Sequence, residues 1–150
     1  MHRRGAEDAE EKGEGSMEGL TARIIGAAIE VHQTLGPGLL ESAYEECLAH
    51  EMHLRGLAFM RQVPLPVAYK GVGLDCAYRL DFLVDNTVVI ELKSVEALLP
   101  IHIAQVLTYL KLGNWKLGLL INFNVPLLKN GVRRLVLNYD ETSASSASRR

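Results

Sequence analysis

Apolar residues recur with helical spacing over the first third of the chain and with strand spacing after it. Leu20, Ile24, Ala27, Val31 and Leu35 form one stripe of a helix expected over Leu20–Leu35. Gly36-Pro37-Gly38 ends it, because a residue before proline avoids the helical region and glycine admits positive φ. A second helix is expected over Leu40–Arg55, with Leu40, Ala43, Tyr44, Cys47 and Leu48 as its apolar line and Gly56 just past its end. From Phe59 the period falls to two. Phe59–Tyr69 contains Pro64 and Pro66 and reads as an edge or irregular strand. Leu74–Val84 and the β-branched Val88–Val95 follow as strands around a turn at residues 85–87. Pro100 opens a helix to about Leu112, closed by Gly113-Asn114. Trp115–Phe123, with a continuous apolar middle, is a strand buried on both faces. Lys129-Asn130-Gly131 reads as a hairpin-type turn before a last strand, Val132–Leu137. The order α-α-β-β-β-α-β-β predicts an α/β (α+β) fold with a central mixed β-sheet flanked by helices.

Composition changes this picture only at the ends. Residues 1–17 form an acidic stretch nearly devoid of large apolar groups, and 140–150 are Ser-rich; both are expected to be disordered tails around a single domain at 18–139. Met17 is a second candidate start. The 150 residues carry a formal net charge of -2, which excludes a generally basic nucleic-acid coat but not a local basic surface. No apolar run approaches the roughly 20 residues of a membrane span, and the N-terminus lacks a secretory apolar core. Two cysteines, Cys47 and Cys76, make no disulfide framework; reduced thiols and a cytoplasmic location are the simplest expectation.

The candidate chemistry lies in Asp81 and in Glu91-Leu92-Lys93. Strand alternation puts Glu91 and Lys93 on one face and Ile90 and Leu92 on the other. A charged pair on an otherwise apolar, central strand is costly unless used. A three-residue loop at 85–87 sets Asp81 opposite Glu91 on the same face, whereas a two-residue loop pairs it with Ile90 and turns it away. Two carboxylates and an ammonium on one face suit a hard divalent cation that keeps most of its waters. The competing reading is a salt bridge between Lys93 and one of the two carboxylates.

The set Asp81…Glu91-x-Lys93 on a hairpin, followed by a helix and a buried strand, resembles the PD-(D/E)XK nuclease superfamily. Gly38-Leu39-Leu40-Glu41-Ser42-Ala43-Tyr44 is similar to the signature of its GxxExxY family. Further matching pieces are Gln62-Val63-Pro64-Leu65-Pro66-Val67, Asp81-Phe82-Leu83-Val84, Val89–Lys93, Ala104-Gln105 with Tyr109-Leu110, and Gly118–Phe123. The resemblance spans about Leu20 to Leu137. It implies a restriction-endonuclease-like core and a Mg²⁺- or Mn²⁺-dependent nuclease. On that reading Asp81 and Glu91 are metal ligands and Lys93 the catalytic lysine that orients the attacking water. Glu41 would ligate a second metal or a metal-bound water, and Gln105 and Tyr109 would lie near the scissile phosphate. Leu80 stands where the superfamily's name has proline.

Other positions have plainer readings. His102, Gln105 and Tyr109 form a polar stripe on the third helix, which is a solvated face if the resemblance is set aside. Glu41 also suits a helix N-terminus electrostatically, and Tyr44 reads as packing. His32 reads as a capping or packing residue. Cys47, His50 and His53 do not converge on one side of a helix, which argues against zinc. Arg133, Arg134, Lys111, Lys116 and Lys129 are scattered solvated charge or a phosphate-contacting rim. The expected partner is nucleic acid, DNA or RNA, without a membrane; a homodimer or a protein partner stays open. The rival function is a non-catalytic nucleic-acid- or protein-binding module, or a partner-dependent subunit, that retains the fold.

Overall fold

The computed structural model describes residues 16–137, apart from the side chains of Asp75, Cys76 and Ala77; of the tails expected at 1–17 and 140–150, residues 1–15 and 140–150 lie outside the described residues, while Ser16 and Met17 belong to the start of the first helix rather than to a tail. Helix α1 spans Met17–Leu35 and starts three residues earlier than its apolar stripe indicates, because Ser16 caps it by accepting the Gly19 N–H at 3.0 Å. Leu20, Ile24, Ala27 and Val31 are buried along it, and Gly36 at φ 74° ends it. Helix α2 spans Glu41–Leu54. Its buried line is Tyr44, Leu48, Ala49 and Met52; Leu40 precedes the helix as its N-cap and is exposed rather than part of the apolar line.

Five strands follow among the described residues: β1 Phe59–Tyr69, β2 Val72–Val84, β3 Val88–Lys93, β4 Leu117–Asn122 and β5 Val132–Val136. They form one sheet in the order β1-β2-β3-β4-β5. The β3–β4 pair is parallel and the other three are antiparallel. Helix α3, Pro100–Gly113, makes the crossover between the parallel strands and stops at Asn114 in the left-handed conformation. This is the mixed α/β architecture of a restriction-endonuclease-like core.

The edge position of β1 follows from its prolines. It lies at the end of the sheet, and its register against β2 shifts between Leu65 and Val67, at Pro66, which has no N–H to donate. Strand β4 is buried throughout, as a strand between two layers must be. The Lys129-Asn130-Gly131 segment is not a tight hairpin turn. It belongs to a 3₁₀ turn, Leu128–Gly131, inside a longer connection from β4 to β5. Gly131 is needed for space: a Cβ there would meet the Asn122 carbonyl oxygen at 2.2 Å.

The sheet separates two apolar layers. On one side α1 and α2 pack on Phe82, Val84, Val88, Ile90, Leu92, Leu117, Leu119 and Ile121. On the other, Val106, Tyr109 and Leu110 of α3 pack on Leu65, Leu80, Leu83, Val89 and Leu120. The close fit of α3 depends on Gly118, where a Cβ would meet Val106 Cγ1 at 2.9 Å.

Candidate active site

Strand β3 reaches the site from the middle of the sheet. Phe82, Leu83 and Val84 pair with Ile90, Val89 and Val88 around the three-residue turn 85–87, and one more step of this register sets Asp81 opposite Glu91. Asp85 and Asn86 both take positive φ, 52° and 51°, which supplies the twist of that turn. The backbone ladder stops at Phe82–Ile90, and the two carboxylates take over its donors. The Asp81 N–H donates to Glu91 Oε2 at 2.9 Å, and the Leu92 N–H donates to Asp81 Oδ2 at 2.8 Å. Each acid thus satisfies a backbone group of the opposite strand where the strands part.

Burial makes these acids reluctant to ionise. Desolvation pushes the Glu91 carboxyl up to about 8, with the Asp81 charge adding to the shift; the Asp81 N–H and the Lys93 and Glu41 charges matter less. Asp81 is also held above the usual carboxylate range, first by desolvation. Glu41 begins α2 and is raised by partial burial and by Asp81, and lowered by Lys93. Glu41, Asp81 and Glu91 therefore all feel the Lys93 charge. Lys93, half-buried at the end of β3, forms no ion pair with either acid among the described residues; the salt bridges there are Arg55–Glu51 and Arg61 with Glu45 and Glu46.

The segment before Glu41 is clamped. The Tyr44 hydroxyl donates to the Gly36 carbonyl and accepts the Leu39 N–H at 3.2 Å, while its ring stacks on Phe123 at 4.5 Å. Gly38 adopts φ 99° within this loop. Tyr44 is thus packing, as its position in the pattern indicates, and it also shapes the approach to Glu41. Beyond Lys93, Asn122 fixes the chain by accepting the Val95 N–H at 3.0 Å and donating to the Val95 carbonyl at 2.9 Å.

The polar stripe of α3 separates into different roles. Tyr109 is buried rather than solvated; its hydroxyl is held above its ordinary range by desolvation and by the Glu91 charge, with the Gln105 side chain acting in the opposite direction. His102 caps the helix, its Nδ1 accepting the Leu99 N–H at 2.9 Å. His32 bonds the Val125 carbonyl at 2.7 Å. Arg133 bonds the Asn130 and Val132 carbonyls.

Two residues near the acids escaped the sequence reading. Glu45, one helical turn after Glu41, raises Asp81 by its charge. Gln62, on β1, donates to both Glu45 oxygens at 3.1 Å and to Asp81 Oδ1 at 3.5 Å. The i, i+4 spacing of Glu41 and Glu45 was the available signal for the first; no periodicity marks the second.

As a donor set, the site suits a small hard cation with few protein ligands. Two desolvated carboxylates oppose each other's ionisation, which a divalent charge would relieve. Among the described residues no group of three or more His, Cys, Asp or Glu side chains is arranged to hold a metal ion, so the fit is to Asp81 and Glu91 with water completing the shell.

With this geometry in hand, the chain's relationships are clear. The model of the PD-(D/E)XK nuclease superfamily matches residues 18–135, so the chain belongs to that superfamily. Neither a curated protein nor a solved structure matches it. No helix among the described residues is long and apolar enough to cross a membrane.

Proposed function

We propose that the protein is a Mg²⁺- or Mn²⁺-dependent nuclease of the GxxExxY group that hydrolyses phosphodiester bonds in nucleic acid. The observation that carries this reading is the convergence of Asp81 and Glu91 beside a Lys93 that forms no ion pair among the described residues. Asp81 and Glu91 would hold the cation, with Glu41 reaching it through water. When bound, the metal would neutralise charge developing on the phosphate. Lys93 orients the attacking water in line with the scissile P–O bond. Gln105 and Tyr109, on α3, would face the substrate phosphate. The buried walls around Glu91 exclude bulk water, which strengthens each of these charge contacts.

A second reading is a partner-dependent subunit. The acidic first half of α2, with Glu41, Glu45 and Glu46, favours it, since an unaided nucleic-acid binder presents more positive charge. The deciding experiment is cleavage of labelled single- and double-stranded DNA and RNA with Mg²⁺, Mn²⁺ or chelator, beside Lys93→Ala. Metal-dependent cleavage that disappears in the folded variant supports the nuclease. Absence of cleavage by both folded proteins supports the partner-dependent subunit, or a homodimer or binding module.

A further inference from the structure

Gln62 stands in the interior of β1 with φ at 50°. That left-handed conformation is uncommon for any residue but glycine and is unfavourable for an unbranched side chain with no local turn to satisfy. No register shift accompanies it: Arg61 pairs with Phe82 and Val63 with Leu80 on either side, leaving Gln62 opposite Asp81. Asp81 is therefore flanked by Gln62 on one neighbouring strand and by Glu91 on the other.

The strained backbone places the side chain between two carboxylates. Gln62 Nε2 donates to Glu45 Oε1 and Oε2, both at 3.1 Å, and lies 3.5 Å from Asp81 Oδ1. Glu45 is held in turn by Arg61 at 3.1 Å. Among the described residues this amide is the hydrogen-bond donor that reaches Oδ1, while the Leu92 N–H holds Oδ2. Without it, no donor would stand between the Glu45 carboxylate, whose charge already acts on Asp81, and Oδ1. Glycine would adopt the φ freely but has no amide, and asparagine is one methylene shorter. Strain held in a strand beside a candidate site is a sign of function.

We infer that Gln62 is a positioning residue whose side-chain amide, wedged between Glu45 and Asp81, fixes the orientation of the Asp81 carboxylate. Its consequence for catalysis rests on the nuclease reading; its consequence for Asp81 does not. The test uses the full chain with Gln62→Gly, which removes amide and strain together, and Gln62→Met, which removes the amide and keeps the strain. Three quantities are read: the melting temperature, the hydrogen-exchange rate of the Leu92 amide, and kcat against KM.

In both variants the Leu92 amide, whose acceptor is Asp81, is expected to exchange about tenfold faster. If the wild type cleaves, kcat falls about tenfold in both with KM nearly unchanged. Gln62→Gly keeps or raises the melting temperature, which a merely structural residue would not allow. Unchanged Leu92 exchange in both variants overturns the inference, as does an effect confined to Gln62→Met, or an unchanged kcat in a cleaving enzyme. If the wild type cleaves nothing, the nuclease reading fails and the Leu92 exchange rate alone decides the role of Gln62.

Discussion

Ser94 Oγ donates to the Leu39 carbonyl at 2.6 Å, which ties the residue after Lys93 to the loop that delivers Glu41. The end of β3 and the start of α2 are thereby held together across 55 residues of sequence. Together with the Tyr44 hydroxyl, this bond gives Glu41 a place relative to Lys93 that neither helix packing nor strand pairing alone would set. Ser94→Ala is expected to cost about 1 kcal/mol of stability, the net worth of one such bond. Cleavage should fall more than stability does, and Ser94→Thr should recover both. Urea denaturation beside initial rates checks this.

Glu91 makes the metal-free protein more stable in acid. Its folded value of about 8 lies above the ordinary 4.5. Below 4.5 the carboxyl is protonated in both folded and unfolded chains, and its contribution is fully present. Between 4.5 and about 8 the unfolded chain releases the proton while the folded chain keeps it, so stability declines as pH rises and the contribution is lost through pH 8. Glu91→Gln retains an oxygen for the Asp81 N–H and removes the charge. Chemical denaturation at pH 8.5 without metal should show the variant more stable by roughly 1–4 kcal/mol, and the slope between pH 5 and 8 should flatten.

Divalent metal should reverse that trend. Binding requires ionised carboxylates, so Mn²⁺ competes with protons at this pair. At 100 times its dissociation constant it should stabilise the chain by about 2.7 kcal/mol at pH 8, and by less at pH 5.5. Asp81→Asn should abolish the effect. A thermal-shift titration with Mn²⁺, Mg²⁺ and chelator reads this directly, and an equal response in Asp81→Asn would place the ion elsewhere.

Gly118 controls how closely α3 lies on β4. In Gly118→Ala the new methyl would sit 2.9 Å from Val106 Cγ1 and 3.4 Å from Leu110 Cδ2. Lifting the helix is expected to cost about 1–3 kcal/mol. It also moves Gln105 and Tyr109, so kcat should drop in the same variant. Val106→Ala on that background should return part of the stability, because it removes the atom that clashes.

The register of Asp81 against Glu91 was readable because side-chain alternation and a three-residue turn leave one arrangement that joins both acids. The buried β4 was readable from its unbroken apolar run, and the edge place of β1 from Pro64 and Pro66. What was not readable depends on contacts between distant segments. Tyr109 falls on the polar side of a helical wheel, yet the sheet covers it. Gly131 carries a turn signal but is required by the Asn122 carbonyl. Gln62 lies within a strand-like run, and neither its φ nor its amide partners follow from its neighbours in sequence. Local pattern reports which face of an element is apolar; it does not report what arrives from 20 or 90 residues away.

Strand β2 runs well past its partner on one side: β3 pairs with it over Phe82–Val84, while β1 accompanies it back to Val72. The outer stretch is therefore a two-stranded ribbon, and Tyr69, Val72, Leu74 and Tyr78 on it are exposed. Ribbons of this kind open at far lower free energy than a strand enclosed on both sides. Under native conditions the outer end of the ribbon can peel and re-form many times before the acid pair is disturbed, because Leu65 and Leu80, buried in the α3 layer, lie between them. Proteolysis and amide exchange should accordingly resolve two cooperative units, a labile ribbon and a slow-opening centre that holds Asp81, Glu91 and Lys93.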